Sequence, residues 1–374
     1  MRAKKNRVYF GYTQTQTSAY YRMMCFVGKM KQLGLASCWH NEYNPEKLNA
    51  CVNKLEEEIA NPANRLEKEN HYRFLCKKKK VSPFIFQLFA STWGLAFIDM
   101  IHYFKTPVIT EIDDYALSVD SSNPNHQLFD PNSDTIKCVK NQLETSDAII
   151  VSTEQLKKLY LPFNENIYVV KNRVDLDIWD KLKNNIHKSY LNIGWEGGSA
   201  HNKDLELLIK PITYIHNKYK KVRFTFIGGE IPDKLTKLER VKHIKKWIPI
   251  NKYPAYKAKQ GFDIELAPLR DTLFNRGKSN LRWLEASALK VPTIASNVEP
   301  YKCIKSGVTG LIAHTQEEWT THIEALIAQP GYRKDLGNNA YLEISKDYNL
   351  VNGAQEYIEI IKEVNKKYRR ISNG

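Results

Sequence analysis

The sequence predicts an α/β protein made of two similar parallel-sheet domains, and three observations carry this. Short apolar runs alternate with helix-length amphipathic segments along most of the chain, the pattern of parallel strands covered by helices on both faces. The alternation breaks at Asn172–Asp177 and restarts near Leu191. The 374 residues thereby divide into two parts, each large enough to bury its own core.

The elements follow in order. Arg7–Tyr12 (RVYFGY) is an apolar run and reads as the opening strand. The polar turn Thr13–Ser18 leads into a helix over Ala19–Leu33, stopped by Gly34. Residues 41–80 are polar and charged, and read as a helical insertion ending in the Lys77–Lys80 run. Strands are predicted at Phe84–Phe89, Val108–Ile112, Ala148–Ser152 and Ile167–Val170. A helix is expected at Trp93–Tyr103, a loop at Ser118–Asn132 and a further helix before Ala148.

In the second half, strands are predicted at Leu191–Trp195, Val222–Ile227, His243–Trp247, Phe262–Ala267 and Thr293–Ser296. The helices between them are Lys203–Lys218, Pro232–Glu239, Tyr253–Gln260 and Lys278–Leu289. Three more close the chain at Gln316–Ala328, Tyr332–Lys346 and Val351–Tyr368. The architecture implied is two Rossmann-like domains with ligands at the carboxyl ends of the strands. The expected division is 1–172, 173–348 and a last helix at 349–374.

Composition narrows the function. No apolar run approaches the ~20 residues of a membrane span, and the basic start lacks a signal-like apolar stretch, so a cytoplasmic protein is expected. Six cysteines show neither a CxxC pair nor metal-ligand spacing with histidine, and read as free thiols. The net charge is +15, carried mainly by residues 173–374, with 34 Lys/Arg against 23 Asp/Glu. Ten basic and three acidic residues lie between Lys218 and Lys246. Such a surplus suits an anionic partner, although a solvated lysine-rich face would look the same.

The segment Phe262–Leu269, followed by Arg270–Asn275 and Lys278–Ala288, reads as strand, polar loop and helix. Lys278, Ser279 and Asn280 open that helix, whose unpaired N–H groups and partial positive charge suit a diphosphate. Glu285 lies seven residues on, on nearly the same face. There it could accept hydrogen bonds from a ribose or simply be a solvated carboxylate.

The run Phe262–Ser296, including LEASALKVPTIAS, resembles the donor-site region of retaining GT-B glycosyltransferases of family four. That fold has two Rossmann-like domains facing a central cleft, with the C-terminal helix packing back on the first. The family carries Glu-x7-Glu here. Glu285 matches the second glutamate, which contacts the donor's ribose, while Gly277 stands in place of the first. The resemblance implies that Lys278 and Ser279, with Asn275 and Asn280 beside them, take over donor contacts. It aligns Asn192–Leu205 with the family's diphosphate loop, where Gly197, Gly198, His201 and Lys203 are the available groups. It places Thr13, Gln14 and Arg22 in the loop beneath the donor, and Arg22 could equally be a surface helix residue. Asp113 and Asp114 end a first-half strand. They are candidates to orient or deprotonate an acceptor hydroxyl, or to serve a strand-end turn.

The implied reaction is transfer with retention from a nucleotide-sugar, a UDP-sugar by preference, with Lys278 stabilising the leaving diphosphate and no cofactor or metal. The acceptor stays open between a hydroxymethylated base in DNA and a membrane-associated glycan or lipid. A nucleotide-sugar epimerase or hydrolase, or a non-catalytic nucleotide-binding protein, are the alternatives outside transfer.

Overall fold

The structure is a computed structural model that describes residues 6–12, 16–40, 70, 73–89, 92–119, 123, 126–182, 188–246 and 248–372. Thr13, Gln14, most of the 41–80 insertion and Trp247 lie outside the described residues. The chain forms two compact units. One comprises Met1–Leu117, Leu128–Lys171 and Leu350–Gly374; the other comprises Ser118–Gln127 and Asn172–Asn349.

The first unit holds β1 (Asn6–Gly11), β2 (Ala36–His40), β3 (Phe84–Gln87), β4 (Val108–Ile112), β5 (Ala148–Val151) and β6 (Ile167–Val169). They form one sheet in the order β2-β1-β3-β4-β5-β6, every pairing parallel. β3, β4 and β5 are buried at every position, as central parallel strands must be. The edge strand β2 was not expected; its sequence ASCWH is short and lacks a clear apolar run.

The helix Leu350–Ser372 supplies the core of this unit on one side. Leu350, Ala354, Tyr357, Ile358, Ile361 and Val364 recur at three- and four-residue steps and pack with Val8, Phe10, Met23 and Phe26. Two other helices start on side-chain caps. Ser133 Oγ accepts from the Ile136 N–H and Thr153 Oγ1 from the Leu156 N–H, both at 3.2 Å.

The second unit holds β7 (Leu191–Gly197), β8 (Val222–Gly228), β9 (Val241–Ile244), β10 (Ile264–Ala267), β11 (Thr293–Ser296) and β12 (Leu311–Ala313). Their order is β12-β11-β10-β7-β8-β9, again all parallel. The order reverses between β7 and β10, the kind of switch point at which open α/β sheets bind ligands beyond their strand ends. β12 was not expected, because three residues leave too little pattern to read. The stretch Pro232–Glu239, read as helix, forms only the turn Asp233–Thr236. The polar loop after β10 contains the short helix Leu273–Gly277, capped by Thr272. Among the described residues no helix is long and apolar enough to cross a membrane, and the five described cysteines are free.

Candidate active site

The site in the second unit grows from the carboxyl ends of β7 and β10. β7 runs into Gly197-Gly198 and a single turn, Ser199–His201. Gly228, at the end of β8, has φ +102° and lies against the Gly197 carbonyl, where no Cβ would fit. The Gly229 N–H then donates to that carbonyl at 2.7 Å. The loop is pinned at Gly197, whereas a Cβ on Gly198 would meet nothing within 4 Å. The open position is Gly198.

Asp204 ties the segments together. It is buried, and its carboxylate accepts from His201 Nδ1 at 2.9 Å, the Arg270 N–H at 2.9 Å and Asn275 Nδ2 at 3.0 Å. Asn275 also donates to the Arg270 carbonyl at 2.9 Å and is buried. Its expected donor contact is corrected accordingly: the amide is spent joining two loops. His201 is corrected as a cation. Burial, with Arg282 and Lys278 nearby, pushes it down to about 4 despite the Asp204 bond, so the ring is neutral near pH 7. Lys203 is exposed on the turn beyond.

The helix expected from Lys278 starts instead at Leu281, and the remaining predicted residues lie just before it, Asn280 at its N-cap. Lys278 is half-buried, its ammonium 4.4 Å from the centre of the Phe274 ring. Ser279 Oγ accepts from Asn172 Nδ2 at 2.7 Å. Asn280 turns inward and donates to Cys303 Sγ at 3.2 Å, so its amide faces the core and not a ligand. Arg282 was not foreseen. Its Nε donates to the Glu196 carbonyl at 2.9 Å, and its guanidinium lies 5.6 Å from the Trp195 ring centre. A Cβ on Gly197 would come within 2.9 Å of its terminal nitrogen. Arg282 therefore borders the glycine loop, four residues on from Lys278, which lies in the extended link before the helix. That spacing was the available signal.

Glu285 is also buried, 4% exposed, and accepts from the Tyr253 hydroxyl at 3.0 Å. Beside it stands a group the sequence reading missed. Lys257, 1% exposed, pairs with Glu196, with Glu285 at 3.5 Å and with Glu265 at 3.6 Å. Burial pushes Glu265 up to about 8, against the pull of Lys257. Burial opposes the charge on Lys257 too, but the carboxylates of Glu196, Glu265 and Glu285 outweigh it and hold the ammonium protonated. The clue in the sequence was a lone acid inside each of two buried strands, NIGWEG and IELA, which demands a cation nearby.

Asp113 and Asp114 belong to the first unit, just past β4. The Asp114 carbonyl accepts from the Tyr160 hydroxyl at 2.8 Å and from the Ala116 N–H at 3.1 Å. Both side chains are half-buried. Arg22 is corrected most sharply. It is fully buried, with Nε 2.5 Å from Glu111 Oε1 and a terminal nitrogen 2.6 Å from the Val170 carbonyl. A guanidinium without exposed surface meets no phosphate. Glu111, itself buried, is pushed up to about 7 by burial even beside Arg22, and the guanidinium is the partner that stays charged.

Around Gly197–Gly198, then, stand backbone N–H groups, two cations and a buried carboxylate, a set suited to a diphosphate and a sugar hydroxyl. Among the described residues no three His, Cys, Asp or Glu side chains are grouped to hold a metal.

Residues 191–329 match the family model for glycosyl transferases group 1. Among solved structures, a glycosyltransferase from Rickettsia africae is 13% identical, with a TM-score of 0.65 over 96% of this chain and 99% of that one. HepE from Anabaena, solved in complex with UDP-glucose, is 12% identical, with a TM-score of 0.63 over 96% of this chain and 99% of that one. Sucrose-phosphate synthase from Thermosynechococcus elongatus is 14% identical, with a TM-score of 0.61 over 98% and 100% of the two chains. No curated protein matches the chain. The class follows from fold and match together: this is a glycosyltransferase with the GT-B fold. The match to glycosyl transferases group 1 lies wholly within its second unit.

Proposed function

We propose that the protein transfers a sugar from a UDP-sugar to an acceptor hydroxyl, with retention of configuration and without a metal. The observation that carries this reading is the cation pair Lys278, just before the Leu281–Ala288 helix, and Arg282, in its first turn, beside a glycine loop open at Gly198. Charge develops on the diphosphate as the glycosidic bond breaks, and fixed cations in a half-buried site stabilise it at no reorganisation cost. With two cations and the loop N–H groups meeting the phosphates, a metal ion has no task left there. Glu285 accepts from the ribose. The uridine preference is supported by the Anabaena structure, solved with UDP-glucose.

For the acceptor we propose DNA carrying a hydroxymethylated base. The +15 charge suits phosphate contacts, and an enzyme acting on a base first draws it from the stack. The test is release of nucleoside diphosphate from UDP-, GDP- and ADP-sugars, each with no acceptor, with plain duplex and with duplex containing 5-hydroxymethylcytosine. Release from a UDP-sugar with the modified duplex alone is the expected result. Equal release in every tube marks a hydrolase. Silence on all DNA, with one nucleotide raising the melting temperature, discards the DNA acceptor and redirects the search to glycans and lipids.

A further inference from the structure

Lys257 sits where four elements converge. Its helix, Tyr253–Gln260, presents Tyr253 and Lys257 on one face, four residues apart. Against that face come Glu196 from β7, Glu265 from β10 and Glu285 from the Leu281–Ala288 helix. One ammonium therefore answers three carboxyl groups, all of them buried. Neither oxygen of Glu265 has a hydrogen-bond partner among the described residues.

As a device for stability the arrangement is poor. Desolvating four ionisable groups costs more than their attraction commonly returns, and apolar packing of similar volume would often do as well or better. What the cluster does provide is direction. Glu285 Oε2 is held at two points, by the Tyr253 hydroxyl at 3.0 Å and by Lys257 at 3.5 Å. The same ammonium holds the Glu196 side chain, whose own carbonyl accepts from Arg282. The carboxylate and the phosphate-side cation are thus oriented from a single buried point.

We propose that Lys257 is a positioning residue for donor recognition, fixing Glu285 against the ribose and Glu196 beneath Arg282. The proposal rests on the donor reading above. It deepens that reading by assigning the selection of ribose over deoxyribose to a residue that touches neither.

The experiment measures UDP and 2′-deoxy-UDP affinity by calorimetry, and UDP-sugar kinetics, for the full chain and for Lys257→Met, Lys257→Arg and Tyr253→Phe. Losing the orientation of a charged hydrogen-bonding group weakens binding by about tenfold or more. Lys257→Met is therefore expected to raise the UDP Kd and the KM by that factor, with kcat changed less than about threefold. Its preference for UDP over 2′-deoxy-UDP falls towards one. Lys257→Arg keeps the charge and restores most of that preference. Tyr253→Phe, which removes one hydroxyl, shifts the same quantities in the same direction by a smaller factor. A purely structural lysine predicts a lower melting temperature with affinity and preference intact in the folded fraction. That result in Lys257→Met overturns the proposal; should Lys257→Met fail to fold, an unchanged preference in Tyr253→Phe does so instead. If the wild-type chain binds no uridine nucleotide, the donor reading itself falls. If wild type binds and the variants match it, only the role of Lys257 falls.

Discussion

Both units bury charge at the carboxyl ends of a six-stranded parallel sheet, and they do so in opposite ways. In the first, Arg22 pairs with Glu111, with Asp113 nearby, and also donates to the Val170 carbonyl. In the second, one lysine answers three carboxyl groups, and Arg282 and Lys278 stand nearby on the glycine-loop side. A balanced pair is a structural tie: removing one member strands the other in a dry interior. An acid surplus beneath two half-buried cations is a place where a ligand's hydroxyls and phosphates can take part. On the proposed function, the first unit's ions hold the fold and the second unit's cations meet a substrate.

The largest expected effect is catalytic and confined to the second unit. Arg282→Ala or Lys278→Ala removes a cation from the leaving group, and kcat/KM should fall by about a hundredfold or more. Lys203→Ala, on the exposed turn, should change it by less than about threefold. Equal losses in all three would erase the distinction drawn here.

Arg22→Met tests the other side. Glu111 is left buried without its cation, a loss of about 3–5 kcal/mol. Thermal unfolding should move down by roughly 10 °C, while UDP affinity of the folded protein stays at the wild-type value. A weakened affinity would return Arg22 to the donor site.

Stability should also depend on pH. Glu265 holds its proton to about 8 in the fold, where burial outweighs Lys257, against an ordinary value of 4.5. Between those values unfolding releases a proton, so the native state loses stability as pH rises from about 5 to 8. The slope is at most about 1.4 kcal/mol per pH unit. Glu265→Gln should flatten this part of the melting curve against pH and raise the melting temperature at its alkaline end. An unaltered pH profile would show that Glu265 is ionised in the fold. Smallest of all is Tyr357→Phe. The lost hydroxyl donates to the Arg22 carbonyl at 2.7 Å, and its removal should cost about 1 kcal/mol by denaturant titration.

Much of the fold was legible because its strands are buried on both faces. AIIV at 148–151 and VITEI at 108–112 announce themselves as apolar runs. Edge strands such as LIA at 311–313 are short and carry no such pattern. Gly197, Gly198 and Lys278 were candidates that spacing could raise, since each stands at a strand end or just before a helix. Glu285, inside that helix, was raised by its seven-residue step from Lys278 and by the resemblance. Lys257 could not be found this way, because its meaning depends on Glu196, 61 residues away, and no local rule joins them. Arg22 misled for a related reason: sequence gives its place after the first strand but not the buried Glu111 that claims it.

The Leu350–Ser372 helix gives the chain an uneven assembly history. The second unit is contiguous from Asn172 to Asn349, apart from one short segment. The first lacks the side chains of Leu350, Ala354, Tyr357, Ile358, Ile361 and Val364 until the far end of the chain is made. At about 5–20 residues per second, a ribosome spends roughly ten to forty seconds on the intervening stretch. Throughout that interval Val8, Phe10 and Phe26 have no final covering. The half that is translated first thus waits for this helix, whose arrival, more than synthesis of the unit's own strands, sets when the core can close.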